Sequence, residues 1–75
     1  METDRWNTVI LSDLAYEHLI AELYYSDQLI ALLDRELGKD NIRITLRAGS
    51  EAAGLRFPVR EFIAAIEDAA KNLAR

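Results

Sequence analysis

Along this chain apolar and polar residues alternate in some stretches and recur with a helical period in another. Trp6 to Leu11 alternates and is expected to form a strand. From Asn41 to Arg47 the alternation is cleaner, with Ile42, Ile44 and Leu46 on one side and Asn41, Arg43, Thr45 and Arg47 on the other. A period of two is that of a half-buried strand. Gly38-Lys39-Asp40-Asn41 before it and Ala48-Gly49-Ser50 after it supply turn residues. Ala48 to Gly54 reads as a mobile loop, and Leu55, Phe57 and Val59 alternate briefly, as a short edge strand would. Between about Val59 and Ala74 the period changes. Val59, Phe62, Ile63, Ile66, Ala69, Ala70 and Leu73 form one apolar stripe at offsets of three and four, and Arg60, Glu61, Glu67, Asp68 and Lys71 occupy the rest. Pro58 stands at the start of this helix, where the missing amide has no partner to lose.

The stretch from Leu14 to Leu37 contains no Gly and no Pro and fits two patterns. As a helix, Ser26 would cap a turn that puts Leu29, Ile30, Leu33 and Leu37 on one face, closed by Gly38. As a hairpin, Leu19 to Tyr25 and Gln28 to Glu36 would pair around Ser26-Asp27. Leu, Ala and Glu favour helix, whereas Ile20, Tyr24, Tyr25 and Ile30 favour strand. Periodicity leaves both readings open.

Composition narrows the function classes more than the fold. Seventy-five residues make one small domain spanning 1–75, and a domain of this size buries only about 60% of its unfolded surface. Nine basic against thirteen acidic residues give a net charge of -4, the wrong sign for a module whose phosphate contacts need clustered Lys and Arg. The absence of cysteine excludes disulfides and thiolate metal sites, and a single histidine removes the usual zinc sets. No metal and no cofactor is expected. No run approaches the roughly 20 apolar residues of a membrane helix, and Met1 to Arg5 lacks the basic, then apolar, start of a secretory signal. A cytoplasmic protein that contacts neither nucleic acid nor membrane is the expectation.

The residues Ala15-Tyr16-Glu17, Leu19-Ile20-Ala21-Glu22-Leu23-Tyr24-Tyr25 and Leu29-Ile30-Ala31-Leu32-Leu33 resemble a group of short bacterial proteins. So do Asp40-Asn41-Ile42-Arg43-Ile44 and Phe62-Ile63-Ala64-Ala65-Ile66-Glu67. These are immunity-type proteins of polymorphic or contact-dependent toxin systems. In them an Asp-Gly commonly follows the Tyr-Tyr pair and makes a hairpin turn; here Ser26-Asp27 takes its place. The resemblance covers roughly Leu14 to Leu73 and implies the hairpin. The fold class is then α+β, a small antiparallel sheet of three to five strands with a central hairpin and one C-terminal helix packed on one face. A two-residue turn at Ser26-Asp27 would place Leu19, Ala21, Leu23, Tyr25, Ile30 and Leu32 on one face, and Ile20, Glu22, Tyr24, Leu29, Ala31 and Leu33 on the other. One helix covers one face only, so the other stays open, and a large apolar patch marks an interface.

Candidate chemistry is sparse. His18 has no legible Ser or Asp partner for nucleophilic catalysis. Glu17, Glu22, Asp34 and Glu36 supply carboxylates, but a chain this short rarely encloses a substrate, so no catalytic residue is assigned. Glu22 interrupts an apolar strand and is expected either to pair with Arg43 or Arg47 across the sheet or to face a basic partner. Trp6, Tyr16, Tyr24 and Tyr25 are either core or contact residues, with Tyr25 assigned to the core and Tyr24 to the open face. The resemblance thus implies an immunity protein that occludes a cognate toxin domain through Ile20, Glu22, Tyr24, Leu29 and Leu33, with Asp27 at the hairpin tip. The alternative is a homodimeric structural or adaptor protein that uses the same face against its own copy.

Overall fold

A computed structural model describes residues 5–46 and 56–75. Four strands and one helix follow one another in the order β1 (Trp6–Leu11), β2 (Ile20–Tyr25), β3 (Gln28–Asp34), β4 (Arg43–Leu46) and α1 (Val59–Leu73). The strands form one antiparallel sheet in sequence order, each beside its chain neighbour. The helix packs on one side of it, so the α+β expectation holds. Ala48 to Gly54, read as a mobile loop, lies outside the described residues, as does Leu55. The short edge strand expected through Phe57 and Val59 does not form: 56–58 lack regular structure and Val59 opens the helix. Phe57 is instead drawn into an aromatic cluster, its ring 5.0 Å from that of Trp6 and 4.9 Å from that of Tyr25.

The ambiguous stretch is a hairpin. Ser26 and Asp27 both take positive φ, at 50° and 67°, the left-handed pair that a two-residue turn needs to match the twist of its strands. Such backbone costs an L-residue about 1–2 kcal/mol, and Asp is among the residues that tolerate it better. Gly38, at φ 104°, makes the comparable reversal between β3 and β4 where only glycine is comfortable.

The register of this hairpin corrects the sequence reading. Tyr25 pairs with Gln28 and Tyr24 with Leu29, but Leu23 then pairs with Ala31, leaving Ile30 as an extra residue in β3. This β-bulge shifts the alternation by one position. Ala31 and Leu33, expected on the open face, therefore lie under the helix, and Leu32, expected beneath it, turns outward opposite Glu22. Ile30 remains on the helix side, as the uninterrupted alternation also required.

The core has two adjoining parts. Ala21 and Leu33 pack with Ala69 and Leu73 near the helix C-terminus, with Ile42, Ile66 and Ala70 against them. Leu23, Tyr25, Ile30 and Ala31 meet Trp6, Phe57, Phe62, Ala65 and Ile66 toward its N-terminus. The helix therefore runs antiparallel to β2 and parallel to β1. Of the expected stripe, Val59 and Ile63 stay exposed and Ala65 packs inward instead. Trp6 Nε1 donates to Glu61 Oε1 at 3.0 Å, and Arg35 Nη1 donates to the Leu73 carbonyl at 3.1 Å, so polar contacts secure both helix ends. The helix lies over β1 to β3, which leaves Ile44 and Leu46 of β4 exposed although they point to its side.

Two outcomes test this register and turn. Leu33→Ala should lower unfolding free energy by about 2–5 kcal/mol, whereas Leu32→Ala should lower it by about 1 kcal/mol or less. Equal losses in chemical denaturation would contradict the bulge. Asp27→Gly should raise stability by about 1 kcal/mol by relieving the left-handed backbone, and a lower denaturation midpoint would argue against the turn conformation.

Candidate functional site

The face of the sheet opposite α1 is built by the residues that the pairing places together. Val9, Glu22 and Leu32 lie in one row across β1 to β3, with Thr45 of β4 beyond them. Asn7, Tyr24 and Leu29 form the next row, and Leu11, Ile20, Asp34 and Arg43 form the row at the opposite end. At the middle of this face Tyr24 Oη donates to Glu22 Oε1 at 2.8 Å, both residues on one side of β2 and both half-buried. Two of the expected contact residues are thus joined by a hydrogen bond. The phenol holds the Glu22 carboxylate in place on this side of the strand. Leu29, Leu32, Ala31 and Thr45 line a small open depression of about 180 Å³ beside it.

The end of the face toward the β1–β2 loop is closed by polar contacts. Asp34, only 2% exposed, accepts from Arg43 Nε at 3.1 Å and from the Glu36 amide at 3.2 Å through the same oxygen. Arg43 therefore serves Asp34 rather than Glu22, because antiparallel pairing sets these two directly opposite. Arg47, the other expected partner of Glu22, lies outside the described residues. Glu36 reaches across to the loop, where its two oxygens accept the backbone amides of Glu17 at 2.9 Å and His18 at 3.0 Å. A carboxylate accepting two amides is held in its charged form, so the Glu36 pKa is lowered, chiefly by the Glu17 amide.

The expected contact residues divide accordingly. Glu22, Tyr24 and Leu29 lie on the open face, and Asp27 is exposed at the hairpin tip. Ile20 points to this face but is fully buried at its closed end, and Leu33 is buried on the other side, under the helix. Leu32, shifted outward by the bulge, takes the place that Leu33 was expected to hold. Tyr25 and Trp6 are in the aromatic cluster under the helix, their rings 4.7 Å apart. His18 is exposed, and its backbone amide rather than its ring makes the contact with Glu36. Among the described residues no group of three or more His, Asp or Glu is placed to hold a metal ion. No described helix is long and apolar enough to cross a membrane.

No family model, curated protein or solved structure matches this chain.

The Glu36 contacts have a pH signature. A carboxyl whose folded pKa is lowered contributes stability above the ordinary carboxylate range and loses it as the pH falls through the lowered value. Carbon-detected NMR titration should show Glu36 deprotonating below the usual glutamate range, and Glu36→Gln should remove part of the acid sensitivity. A Glu36 midpoint at or above that range would refute the contact.

Proposed function

We propose that this chain is an immunity-type protein that binds a cognate toxin domain in the cytoplasm and neutralises it by covering its active or substrate-binding site. The observation that carries the reading is the open sheet face. There the Tyr24–Glu22 pair stands among half-buried Leu29 and Leu32 and partly exposed Val9, with α1 on the opposite side. Tyr is among the residues enriched at binding hot spots, and a carboxylate beside it favours a partner of opposite charge. Occlusion needs no reacting group from the inhibitor. The class of partner comes from the resemblance of the hairpin and helix segments to immunity proteins, and the net charge of -4 suits a toxin domain with a basic cleft.

Affinity capture from the native cells should yield a stoichiometric partner that is toxic when expressed alone and harmless when this chain is co-expressed. Tyr24→Ala and Glu22→Lys should each weaken that complex at least about tenfold, or ~1.4 kcal/mol, while thermal melting by circular dichroism stays near wild type. Protection undiminished in both variants would reject this surface. Recovery of this chain alone at twice its mass would reject the inhibitor reading in favour of self-association.

A further inference from the structure

The opposite margin of the molecule carries a second recognition element, which does not rest on the sheet-face reading because its groove lies on the helix side. Strand β1 is an end strand of the sheet. The Ser26 amide donates to the Arg5 carbonyl at 2.7 Å, so in this ladder the odd-numbered residues of β1 form the hydrogen-bonded pairs with β2. The amides and carbonyls of Trp6, Thr8 and Ile10 consequently turn away from β2 toward the free edge. Natural proteins blunt such edges with charge, proline, a bulge or brevity. β1 has none of these over its six residues, Trp-Asn-Thr-Val-Ile-Leu, whereas the other end strand, β4, is four residues long and begins with Arg43.

Beside this edge α1 forms a groove. Trp6, Asn7 and Thr8 line one wall, and Glu61, Ala64, Ala65, Asp68 and Asn72 the other, around a volume of about 430 Å³. That size falls in the range of about 300–1,000 Å³ typical of ligand clefts. Ala64 and Ala65 keep the floor open because neither side chain extends beyond Cβ. Among the described residues that line it, the charged side chains are Glu61 and Asp68. Glu61 is positioned by the Trp6 indole, and Asp68 has no hydrogen bond or ion pair among the described residues.

We propose that this edge and groove bind an extended basic peptide segment of a partner protein by strand addition. The added strand would pair with the outward amides and carbonyls of Trp6, Thr8 and Ile10. Its residues opposite those three positions would project to the helix side, because directly paired residues share a face, and a Lys or Arg there meets Glu61 and Asp68. Backbone pairing supplies affinity and the acidic groove selects alternate cations. A second copy of β1 suits the groove less well: the strand carries no cation to place there, and the pairing would bring a second set of carboxylates toward the first.

The test is an NMR titration of the intact protein with acetyl-Thr-Lys-Val-Lys-Val-Lys-Thr-amide. The amides of Trp6, Thr8 and Ile10 should shift and gain protection from hydrogen exchange. Replacing the three Lys by Glu should abolish binding, and so should N-methylating the Lys amides, which removes the pairing donors while keeping the charge. Asp68→Lys, at an exposed helix position, should weaken binding about fivefold, as expected for reversing one exposed ion pair. No shift on addition of peptide, equal binding of the Glu or N-methyl peptide, or shifts confined to Tyr24 and Leu32 would overturn the proposal. So would protection of the three β1 amides in a peptide-free dimer, which would give the edge to a second copy. Absence of peptide binding at β1 leaves the Tyr24–Glu22 face untested, and loss of toxin binding in the Tyr24 and Glu22 variants leaves this edge untested, so the two readings can fail separately.

Discussion

Because side chains alternate along a strand, inserting Ile30 into β3 opposite the Leu23–Tyr24 step displaces every later residue of that strand by one face. The rest of the architecture depends on that displacement. It sends Ala31 and Leu33 toward the helix, where small Ala31 permits close approach and Leu33 fills the space between Ala21 and Leu73. It also brings Asp34 opposite Arg43 on the outer side, so the last residue of β3 becomes a buried anion with a guanidinium across the strand gap. Without the bulge Leu32 would occupy the core position and Asp34 would turn toward the helix, an unfavourable place for a carboxylate.

The same shift determines what the two sides of the sheet can do. With one helix available, the face that received Ala21, Leu23, Ala31 and Leu33 became the core, and the Glu22–Tyr24 face stayed open. Contacts at the helix ends, Trp6 to Glu61 and Arg35 to the Leu73 carbonyl, fix how α1 lies over β1 to β3. That placement opens a groove along β1, and Ile44 and Leu46 of β4 stay exposed.

How much was legible in the sequence follows from the kind of signal each element carries. β4 and α1 show clean periods, and the structure places them at Arg43–Leu46 and Val59–Leu73. The β2–β3 hairpin was ambiguous because Ser26-Asp27 lacks the glycine that usually announces such a turn, and the positive φ of both residues is imposed by the strands they join. The bulge left no trace in the pattern. Leu29 to Leu33 is apolar at every position, so either alternation fits it equally well, and Leu33 was accordingly placed on the wrong face. At the candidate site Glu22 and Tyr24 could be located because β2 is regular from Ile20 to Tyr25. The contacts of Glu36 with the amides of Glu17 and His18 could not, since a carboxylate that bonds distant backbone depends on the tertiary path and on no local residue pattern.

The position of α1 after all four strands also bears on how the molecule is made. A ribosome synthesises from the N-terminus, so the meander is complete before the helix that will cover it exists. Each strand pairs with its chain neighbour, which permits the sheet to assemble early. Yet Leu23, Tyr25 and Leu33 have no helix to bury them until Phe62, Ala69 and Leu73 emerge. A sheet formed ahead of the helix would leave that apolar surface and the β1 edge open to neighbouring chains. Prompt docking of the helix, assisted by the Trp6–Glu61 contact that joins segments 55 residues apart, ends that exposure.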